Sequence, residues 1–435
     1  MFIGWRQRSD KLSFVMMMKL ALTRTWSSIT AIKFLLTVWI VAVFFMSGCG
    51  QSEAPAVSSP TMVQSAHGRS ASSEYLQLLS RFSVESPGFG PDAFFEDISD
   101  QPMAVGLLLQ AEDLRYRATY TDDSKTRIRA AVRWLFTHAD DDHDGTPGWG
   151  LPEPWDAFSD GSSNPANQPY TITTALALEG LLDAAASPEL WNSQDRAAIQ
   201  ELVKQVVMTW CEKAWSTRES GGFFWYSTSV LDAKFVPNVS AMMSGVGARL
   251  LREHPNWLSV EDRKLLRTRI DDSVRSIINT ATIRDQAPFW TYNVPVDHPD
   301  PNDLVHHVYI LWGLEVYRAG GGTVPIPWMR ADALRSIRMF WRDGTLHQMP
   351  ADVTYGNVYD SLGAEAWGAG MALAFTARWG SADDASAIRH YILTEYGEYP
   401  DIRRYPGSQD TNFYRRWAAH MLWGIAVHDL ALGAR

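Results

Sequence analysis

The sequence predicts an all-α fold, a ring of six helical hairpins with buried helices inside and charged helices outside. Segments with helical periodicity dominate the chain, and no sustained alternation of apolar and polar residues indicates a strand or a hairpin ladder. The helical segments are of two kinds, one apolar on nearly all faces and the other amphipathic and charged. The two kinds alternate strictly, six of each, which amounts to a loose internal repeat.

The apolar segments are rich in Ala and Gly, so we expect their backbones to pack closely in the interior. They are Gln101–Tyr116, Thr171–Ala185, Asn238–Arg252, Asp303–Arg318, Ser361–Trp379 and Thr411–Leu432. The charged segments, expected on the surface, are Glu74–Phe82, Asp123–His138, Ser193–Trp215, Val260–Ala281, Trp328–Trp341 and Asp383–Glu395. An open α-solenoid is the alternative, but solenoid repeats are shorter and their loops are simpler.

Residues 1–48 predict a signal peptide for export. Basic residues lead into an apolar run at 34–46, and residues 47–49 read Ser-Gly-Cys. This ending resembles the lipobox of bacterial lipoproteins, which implies that Cys49 is lipidated. The glycine after Cys49 implies an outer-membrane anchor that faces the periplasm. An uncleaved anchor helix is the alternative, although the apolar run is short of the about 20 residues that a membrane-spanning helix needs.

Residues 49–73 predict a flexible tether. They are rich in Ser, Ala and Pro and contain few large apolar side chains, so they cannot bury enough surface to fold. No second linker of this kind interrupts residues 74–435. We therefore expect one toroidal domain over 74–435.

The charge balance and the cysteine count exclude several classes of partner and site. The chain carries 39 Lys and Arg against 49 Asp and Glu, a net charge of −10. This argues against nucleic acid and anionic lipid as partners, so membrane contact is expected through the lipid anchor only. Only Cys211 remains beside Cys49, which argues against an intramolecular disulfide and a cysteine-based zinc site.

The chain also holds 19 Trp and 15 Tyr. In an exported acidic protein this number suits a polysaccharide or oligosaccharide partner, because flat aromatic faces stack on sugar rings; packing in a helical core is the alternative use. Aromatic residues in or just after the loops that precede the predicted buried helices are the candidate sugar-binding platforms. They are Trp149, Trp155, Tyr170, Trp225, Tyr226, Trp290 and Tyr292.

An acidic turn precedes the longest of these loops. Asp140, Asp142 and Asp144 alternate along the chain and Gly145 follows, a spacing that places three carboxylates around a hard cation. Calcium is therefore the one cofactor that the sequence suggests. The turn is not a full EF-hand loop, because Leu151 stands where the bidentate glutamate belongs, and a solvated acidic turn is the alternative.

Two further carboxylates, Asp156 and Asp160, follow in the same loop. Glycoside hydrolysis uses a pair of carboxyl groups, one as acid and the other as base or nucleophile. A partner is expected at the fifth buried segment, where Asp360 lies before the helix and Glu365 lies in an apolar stretch. Burial of an unpaired Glu365 would raise its pKa, which suits a general acid, whereas a paired structural glutamate is the alternative.

A second candidate site begins the fourth buried segment. Asp303 is placed to cap this helix, His306 follows one turn on, and Tyr309 lies on the same face. A histidine and a tyrosine so placed suit proton abstraction beside a uronate carboxylate. Arg404, in the loop before the last buried segment, is the candidate to hold that carboxylate. Asp410 lies in the same loop and is a further candidate for substrate binding. A hydrogen-bonded structural histidine is the alternative.

The loop-to-helix phrases resemble those of a known superfamily. Residues 148–156 read Gly-Trp-Gly-Leu-Pro-x-x-Trp-Asp, residues 170–176 begin Tyr-Thr-Ile-Thr-Thr, and residues 302–309 read Asn-Asp-x-x-His-His-x-Tyr. With the alternating helices, they resemble the (α/α)6 toroid of six-hairpin glycoside hydrolases, polysaccharide lyases and glucuronyl epimerases. Lanthionine cyclases and prenyltransferases, which share a ring of helices, need zinc held by Cys and His and are disfavoured.

The resemblance implies an exported enzyme that cleaves or modifies a polysaccharide, such as an exopolysaccharide. As a hydrolase it would use Asp156 or Asp160 with Glu365 or Asp360. As a lyase or epimerase it would use His306 with Tyr309 or Tyr226. The alternative from another class is a non-catalytic glycan-binding or polysaccharide-secretion accessory lipoprotein.

Overall fold

The computed structural model describes residues 70–95, 97–292, 302–350, 363–410 and 412–431. The chain divides into two compact units. One unit, the helical body, comprises Met62–Trp155 and Ser163–Arg435. The other comprises Met1–Thr61 and Asp156–Ser162, of which only the second stretch is described. The predicted signal peptide, the lipidated Cys49 and most of the predicted tether lie outside the described residues.

The described part of the helical body contains twelve α-helices, which alternate between outer and inner positions. The outer helices are α1 (Ser73–Leu79), α3 (Asp122–Thr137), α5 (Ser193–Glu212), α7 (Val260–Asn279), α9 (Arg330–Arg338) and α11 (Ala382–Glu395). The inner helices are α2 (Pro102–Thr119), α4 (Thr171–Ala185), α6 (Pro237–Glu253), α8 (Leu304–Ala319), α10 (Ala366–Trp379) and α12 (Arg415–Ala431). The predicted alternation of six surface and six buried helices is confirmed.

The outer helices are amphipathic segments with well-defined starts, and α7 shows the local reasons. Ser259 caps the helix by accepting the backbone N–H of Asp262, and the Asp262 side chain accepts the N–H of Ser259 in return. Its buried apolar residues Leu266, Ile270 and Val274 recur at helical spacing on one face. The remaining face is charged, so α7 lies on the surface of the body.

The inner helices form a closed ring, in which each packs on the next and α12 packs on α2. Small residues let their backbones approach closely. A Cβ atom added at Gly313 would lie 2.2 Å from the backbone of Ala241, and one at Gly370 would lie 2.4 Å from the carbonyl oxygen of His420. Any side chain at these two positions would force neighbouring inner helices apart, so the predicted role of Ala and Gly in close packing is confirmed.

Short β-hairpins decorate four of the connections that lead from an outer helix to an inner one. The strands are β1 (Phe89–Gly90), β2 (Ser99–Asp100), β3 (Trp215–Arg218), β4 (Gly221–Phe224), β5 (Thr282–Arg284), β6 (Ala287–Phe289), β7 (Trp341–Arg342) and β8 (Thr345–Leu346), paired in sequence order and antiparallel. The sequence does not predict these strands, because two to four residues are too few to show alternation. These connections share one end of the ring, named here the loop-side end.

The hairpins also explain where the predicted helix boundaries were wrong. Helix α5 ends at Glu212 rather than at Trp215, since Trp215 begins β3. Helix α9 ends at Arg338 rather than at Trp341, since Trp341 begins β7. No helix among the described residues is long and apolar enough to cross a membrane.

Candidate active site

Seven aromatic side chains at the loop-side end follow one another in a circuit, named here the aromatic annulus, in which each contacts the next except at one step that Tyr170 bridges. They are Phe94 before α2, Trp155 before α4, Tyr226 before α6, Tyr292 before α8, His306 in α8, Trp367 in α10 and Trp417 in α12. Every inner helix or the loop before it contributes to the circuit, and α8 contributes twice. The annulus therefore follows the same order as the ring of helices beneath it.

One half of the annulus runs from His306 to Trp155 through ring contacts. The ring centroids of His306 and Trp367 lie 5.9 Å apart, and those of Trp367 and Trp417 stack at 4.9 Å. Phe94 then contacts Trp417 at 5.3 Å and Trp155 at 5.8 Å. All four distances are those of aromatic rings in direct contact.

The other half closes through hydroxyl groups. Tyr170 joins Trp155 to Tyr226, because its hydroxyl donates to the Trp155 carbonyl oxygen at 3.3 Å and its ring lies 5.6 Å from the Tyr226 ring. The Tyr292 hydroxyl donates to the Tyr226 hydroxyl at 3.2 Å. The Tyr292 ring lies 5.0 Å from the His306 ring, which completes the circuit. Burial raises the pKa of both tyrosines, so both phenols carry their protons at neutral pH.

His306 is oriented by a carboxylate from its own helix. Asp303, the N-cap of α8, accepts the backbone N–H of His306 at 3.1 Å and lies 2.7 Å from its Nδ1. A carboxylate accepts hydrogen bonds, so Nδ1 carries the hydrogen and the lone pair of the neutral ring is on Nε2. Burial opposes ionisation of Asp303, but His306 outweighs it and holds the pKa of that carboxyl below its ordinary value. The pair is built to keep His306 in the tautomer of a general base.

The adjacent His307 points elsewhere. It is fully buried against the Phe289 ring at 4.8 Å, and its Nε2 lies 2.8 Å from the Ser336 hydroxyl of α9. Burial lowers the pKa of His307 to about 3. It is a neutral core residue, as expected from the different directions of neighbouring side chains on a helix.

One helical turn after His306, Tyr309 binds His420, a partner that the sequence does not predict. Its hydroxyl hydrogen-bonds Nε2 of His420 in α12, and Nδ1 of His420 donates to the carbonyl oxygen of Arg416 at 2.6 Å. Both side chains are buried, and burial lowers the pKa of His420 to about 3 and raises that of Tyr309. The Tyr309 ring lies 6.4 Å from His306, while its hydroxyl faces His420. Tyr292 and Tyr226 are therefore better placed than Tyr309 to serve His306.

Glu365 is the N-cap residue of α10, and one oxygen of its carboxylate, Oε1, binds two side chains. It accepts from Nε of Arg404 at 2.6 Å and from the Tyr405 hydroxyl at 2.6 Å. Glu365 is therefore paired rather than unpaired, and a role for it as a general acid stays a prediction. The same pair occupies Arg404, which was expected to hold a substrate carboxylate.

Two of the predicted sugar platforms lie in the core instead. Trp149 and Trp290 are at most 1% exposed, and their indole N–H groups donate to the carbonyl oxygens of Leu135 at 3.0 Å and Ile277 at 2.8 Å. Each carbonyl belongs to the last turn of the preceding outer helix. These tryptophans fasten a loop to an outer helix, and neither ring has a face open to a ligand.

Two further predicted platforms, Tyr170 and Trp225, are not members of the annulus. Tyr170 is buried, donates to the carbonyl oxygen of Trp155 at 3.3 Å and packs edge-on against Tyr226 at 5.6 Å. Trp225 is half-buried, and its indole N–H donates to the Ser216 hydroxyl at 2.8 Å.

The carboxylates predicted for hydrolysis do not form a described pair. Asp156 and Asp160 lie in the second unit, where Asp156 accepts the backbone N–H of Asp160 at 3.3 Å and of Gly161 at 3.1 Å. Asp360 lies outside the described residues. Asp410 accepts the backbone N–H of Asn412 at 3.0 Å. A hydrolytic role for Asp156, Asp160 or Asp360 stays a prediction.

The acidic turn brings its three predicted ligands together. Carboxylate oxygens of Asp140, Asp142 and Asp144 lie within 4.8 Å of one another. Burial, followed by the charges of Asp144 and Asp140, raises the pKa of Asp142 to about 6. Three such oxygens are suited to a hard cation, and the calcium site stays a prediction.

Three members of the annulus were not among the sequence-predicted site residues. Trp367 and Trp417 lie in the first turns of α10 and α12, in positions like that of His306 in α8. Phe94 lies in a loop before α2, as Trp155 does before α4. Their position in the sequence could have identified these three residues, because each lies where a loop leads into an inner helix.

Comparisons with known proteins identify the fold. The sequence matches no family model and no curated protein. Similar solved structures include a cellobiose 2-epimerase from Bacillus thermoamylovorans, with a TM-score of 0.54, 13% identity and coverage of 80% of this chain and 95% of that one. An unsaturated glucuronyl hydrolase from a Bacillus species matches with a TM-score of 0.54, 10% identity and coverage of 83% and 97%. An α-1,6-mannanase of a Salegentibacter species matches with a TM-score of 0.53, 9% identity and coverage of 82% and 97%. At such low identity these likenesses concern the fold alone, which is the (α/α)6 toroid that the sequence predicts.

Proposed function

We propose that this protein is a carbohydrate-active enzyme that moves a proton on a sugar carbon, by elimination or epimerisation, with His306 as the general base. The observation that carries this proposal is the Asp303–His306 pair set into the wall of the aromatic annulus. Trp155, Tyr226 and Tyr292 are the partly exposed aromatic members placed to hold a pyranose ring, from which the oriented imidazole removes a proton.

The roles follow from the hydrogen bonds of each group. Nε2 of His306 takes the proton from carbon, and the ionised Asp303 stabilises the imidazolium that forms. Tyr292 lies beside His306 and is hydrogen-bonded to Tyr226, so this tyrosine pair is placed to act as the acid. Because burial raises the pKa of both phenols, each has a proton to give at neutral pH.

Elimination and epimerisation use the same first step. In elimination the electron pair of the broken C–H bond forms a C=C bond, the glycosidic C–O bond breaks, and the leaving oxygen takes a proton from the acid. In epimerisation the electron pair moves into a carbonyl group beside that carbon, and it returns to form a new C–H bond when a proton is added on the opposite face. Elimination needs an acid within reach of the leaving oxygen, whereas epimerisation needs a proton donor on the face opposite the base.

Two findings favour this chemistry over hydrolysis. Glu365, the described carboxylate expected to act as the general acid, is held by Arg404 and Tyr405. The Asp303–His306 pair has no role in the two-carboxylate mechanism of glycoside hydrolysis. The names of the similar structures, an epimerase, a glucuronyl hydrolase and a mannanase, agree with a carbohydrate as the substrate.

The proposal includes a location outside the cell, on a polysaccharide such as an exopolysaccharide, with the protein anchored to the outer membrane through Cys49. Its support is the signal and lipobox pattern of residues 1–49. Cells that express the wild-type protein should incorporate labelled palmitate into it, and Cys49→Ala should abolish the label. Label that persists in Cys49→Ala would contradict the anchor.

A product screen tests the activity. Uronate-containing and neutral polysaccharides and oligosaccharides are incubated with the protein, and unsaturated uronate absorbance, new epimers and new reducing ends are followed. We expect unsaturated products or epimers, lost in His306→Gln and kept in His390→Gln, an exposed histidine of α11. New reducing ends without unsaturation would establish a hydrolase, and binding without any product would establish an accessory glycan-binding protein; either result would contradict the proposal.

A further inference from the structure

The loops before α4 and α6 meet at one buried side chain, that of Asn164, which is 2% exposed. The backbone of Asn164 pairs with that of Trp155 in both directions. The Trp155 N–H donates to the Asn164 carbonyl oxygen at 3.1 Å, and the Asn164 N–H donates to the Trp155 carbonyl oxygen at 3.0 Å. Asn164 therefore fixes the backbone of the annulus member that lies in the loop before α4.

The side-chain amide of Asn164 reaches the loop before α6. Its Nδ2 lies 2.6 Å from Oδ2 of Asp232, 3.1 Å from the Tyr170 hydroxyl and 3.3 Å from the Ser227 hydroxyl. An ionised carboxylate only accepts hydrogen bonds, so the nitrogen of the amide, and not its oxygen, faces Asp232. The contact with Asp232 is the shortest of the three, and hydrogen bonds to a carboxylate are stronger than those to a neutral acceptor.

Asp232 is a buried carboxylate that the proposed chemistry does not use, and it is 1% exposed. Its carbonyl oxygen accepts the backbone N–H of Tyr226 at 3.1 Å. The Tyr226 carbonyl oxygen in turn accepts the N–H of Thr171, the first residue of α4, at 3.0 Å. The backbone of Tyr226 is thus held by Asp232 on one side and by the start of α4 on the other.

The side chain of Tyr226 packs against the same residues. Its ring lies edge-on to the Tyr170 ring at 5.6 Å, and the Tyr170 hydroxyl contacts both the Asn164 amide and the Trp155 carbonyl oxygen. One buried amide and one buried carboxylate therefore connect Trp155, a candidate sugar platform, with Tyr226, a member of the tyrosine pair.

We infer that Asn164 and Asp232 are positioning residues of the active site, which together set the places of Trp155 and Tyr226. The inference rests on the proposed function for the roles of those two aromatic residues. Removing either partner would leave the other buried polar group without its hydrogen bond, which a buried group does not tolerate well. The pair needs one amide and one carboxylate, so it should work equally in the reverse order.

A swap of the two side chains tests the pair. Asn164→Asp alone sets two carboxylates against each other, and we expect kcat/KM to fall by about 10²-fold because displaced catalytic and binding groups have effects of this size. KM should rise through Trp155 and kcat should fall through Tyr226. Asp232→Asn alone keeps an acceptor for the Asn164 amide and should lose far less. The swapped variant, which carries both changes, restores an amide and a carboxylate and should recover most of kcat/KM.

Asn192→Asp is the matched control for the swap. Asn192 is the exposed N-cap of α5, and aspartate caps a helix as well as asparagine does, so kcat and KM should not change. A merely structural pair would alter the amount of folded protein and leave both constants of the folded fraction as in the wild type. That result would overturn the inference, and so would a folded swapped variant that is no more active than Asn164→Asp.

Hydrogen exchange gives a readout that does not depend on the chemistry. The backbone N–H groups of Trp155, Asn164 and Tyr226 should exchange faster in Asn164→Asp and return toward the wild-type rate in the swapped variant, while those of α7 keep their protection. If exchange follows this order and no product forms, the proposed chemistry fails and the hold on Trp155 and Tyr226 stands. If product forms and exchange in Asn164→Asp is unchanged, the chemistry stands and this inference fails.

Discussion

Two inner helices begin with a carboxylate, and the two carboxylates have opposite roles. Asp303 caps α8 and binds His306 within the same helix, so it leaves one ring nitrogen directed away from the pair. Glu365 precedes α10 and binds Arg404 and Tyr405, which come from the loop before α12. The Asp303–His306 pair positions a titratable side chain within the annulus. The contacts of Glu365 instead join the start of α10 to the loop before α12. A buried carboxylate in a cleft is thus no evidence of acid catalysis until its partners are known.

The comparison predicts that changes to the first pair reduce activity and changes to the second reduce stability. The largest effect is expected for His306→Gln, which should lower kcat by about 10²–10⁴-fold because it removes the general base. Its unfolding free energy should change by less than about 1 kcal/mol, because His306 is partly exposed at the first turn of α8. Kinetics and thermal unfolding of the same preparation measure both.

Glu365→Gln should show the reverse pattern. The change leaves Arg404 without its anionic partner, and we expect a loss of about 3 kcal/mol, at the lower end for a broken buried pair since Arg404 is partly exposed. Activity of the protein that remains folded should fall only slightly. Denaturant unfolding measures the loss, and a large drop in kcat at unchanged stability would show that Glu365 is catalytic after all.

Asp303→Asn separates capping from orientation. Asparagine is as good an N-cap as aspartate, so α8 should keep its start, while kcat should fall by about 10²-fold because the imidazolium loses its anion. The folded-state pKa of Asp303 lies below its ordinary value, so its ionised form stabilises the fold above about pH 4. That contribution is lost as the pH falls through the folded-state pKa, and Asp303→Asn should lack this part of the acid sensitivity. Unchanged kcat in Asp303→Asn would contradict the orienting role.

The tyrosine pair is expected to have a smaller effect than His306. Tyr292→Phe keeps the ring that packs beside His306 and removes the hydroxyl that donates to Tyr226. We expect kcat to fall by about 10²-fold, the lower limit for a general acid, because Tyr226 remains as a second phenol. Tyr309→Phe is the matched control: it should lower stability through the loss of the bond to His420 and leave kcat nearly unchanged. Equal losses of kcat in the two variants would contradict the assignment of the acid.

The smallest effect is expected at the acidic turn. The neighbours of Asp142 are other carboxylates, whereas the neighbour of Asp303 is the imidazole of His306. Burial and two neighbouring carboxylates raise the pKa of Asp142 to about 6, so its stabilising contribution is present at low pH and lost as the pH rises through about 6. Asp142→Asn should therefore stabilise the calcium-free protein at pH 7, by less than about 1 kcal/mol because solvent screens the turn. Calcium should raise the melting temperature of the wild type and not of Asp142→Asn; equal shifts would argue against the calcium site.

The sequence predicted the features that depend on local patterns. The bounds Thr171–Ala185 are as predicted for α4, and Asp303 caps α8 with His306 one turn on. These predictions hold because helical periodicity and capping are properties of neighbouring residues. The ring itself follows from the strict alternation of two helix types.

The remaining features depend on contacts between distant parts of the chain. Glu365 and Arg404 are 39 residues apart, and no local pattern indicates that they pair. Trp149 and Trp290 belong to aromatic loops like that of Trp155, but a carbonyl group of an outer helix draws each of them into the core. Which aromatic residue of a loop packs and which one lines the annulus is decided by tertiary structure.

The central claim is that His306 removes a proton from a sugar carbon, and isotope transfer tests it most directly. The reaction is run in water enriched in deuterium and oxygen-18 with the substrate found in the product screen, and the products are analysed by mass spectrometry. Proton abstraction by His306 predicts either an epimer with carbon-bound deuterium or an unsaturated product that has taken up no oxygen from water. Neither product should form with His306→Gln. A saturated product that carries oxygen-18 from the bond-breaking step and no carbon-bound deuterium would contradict it.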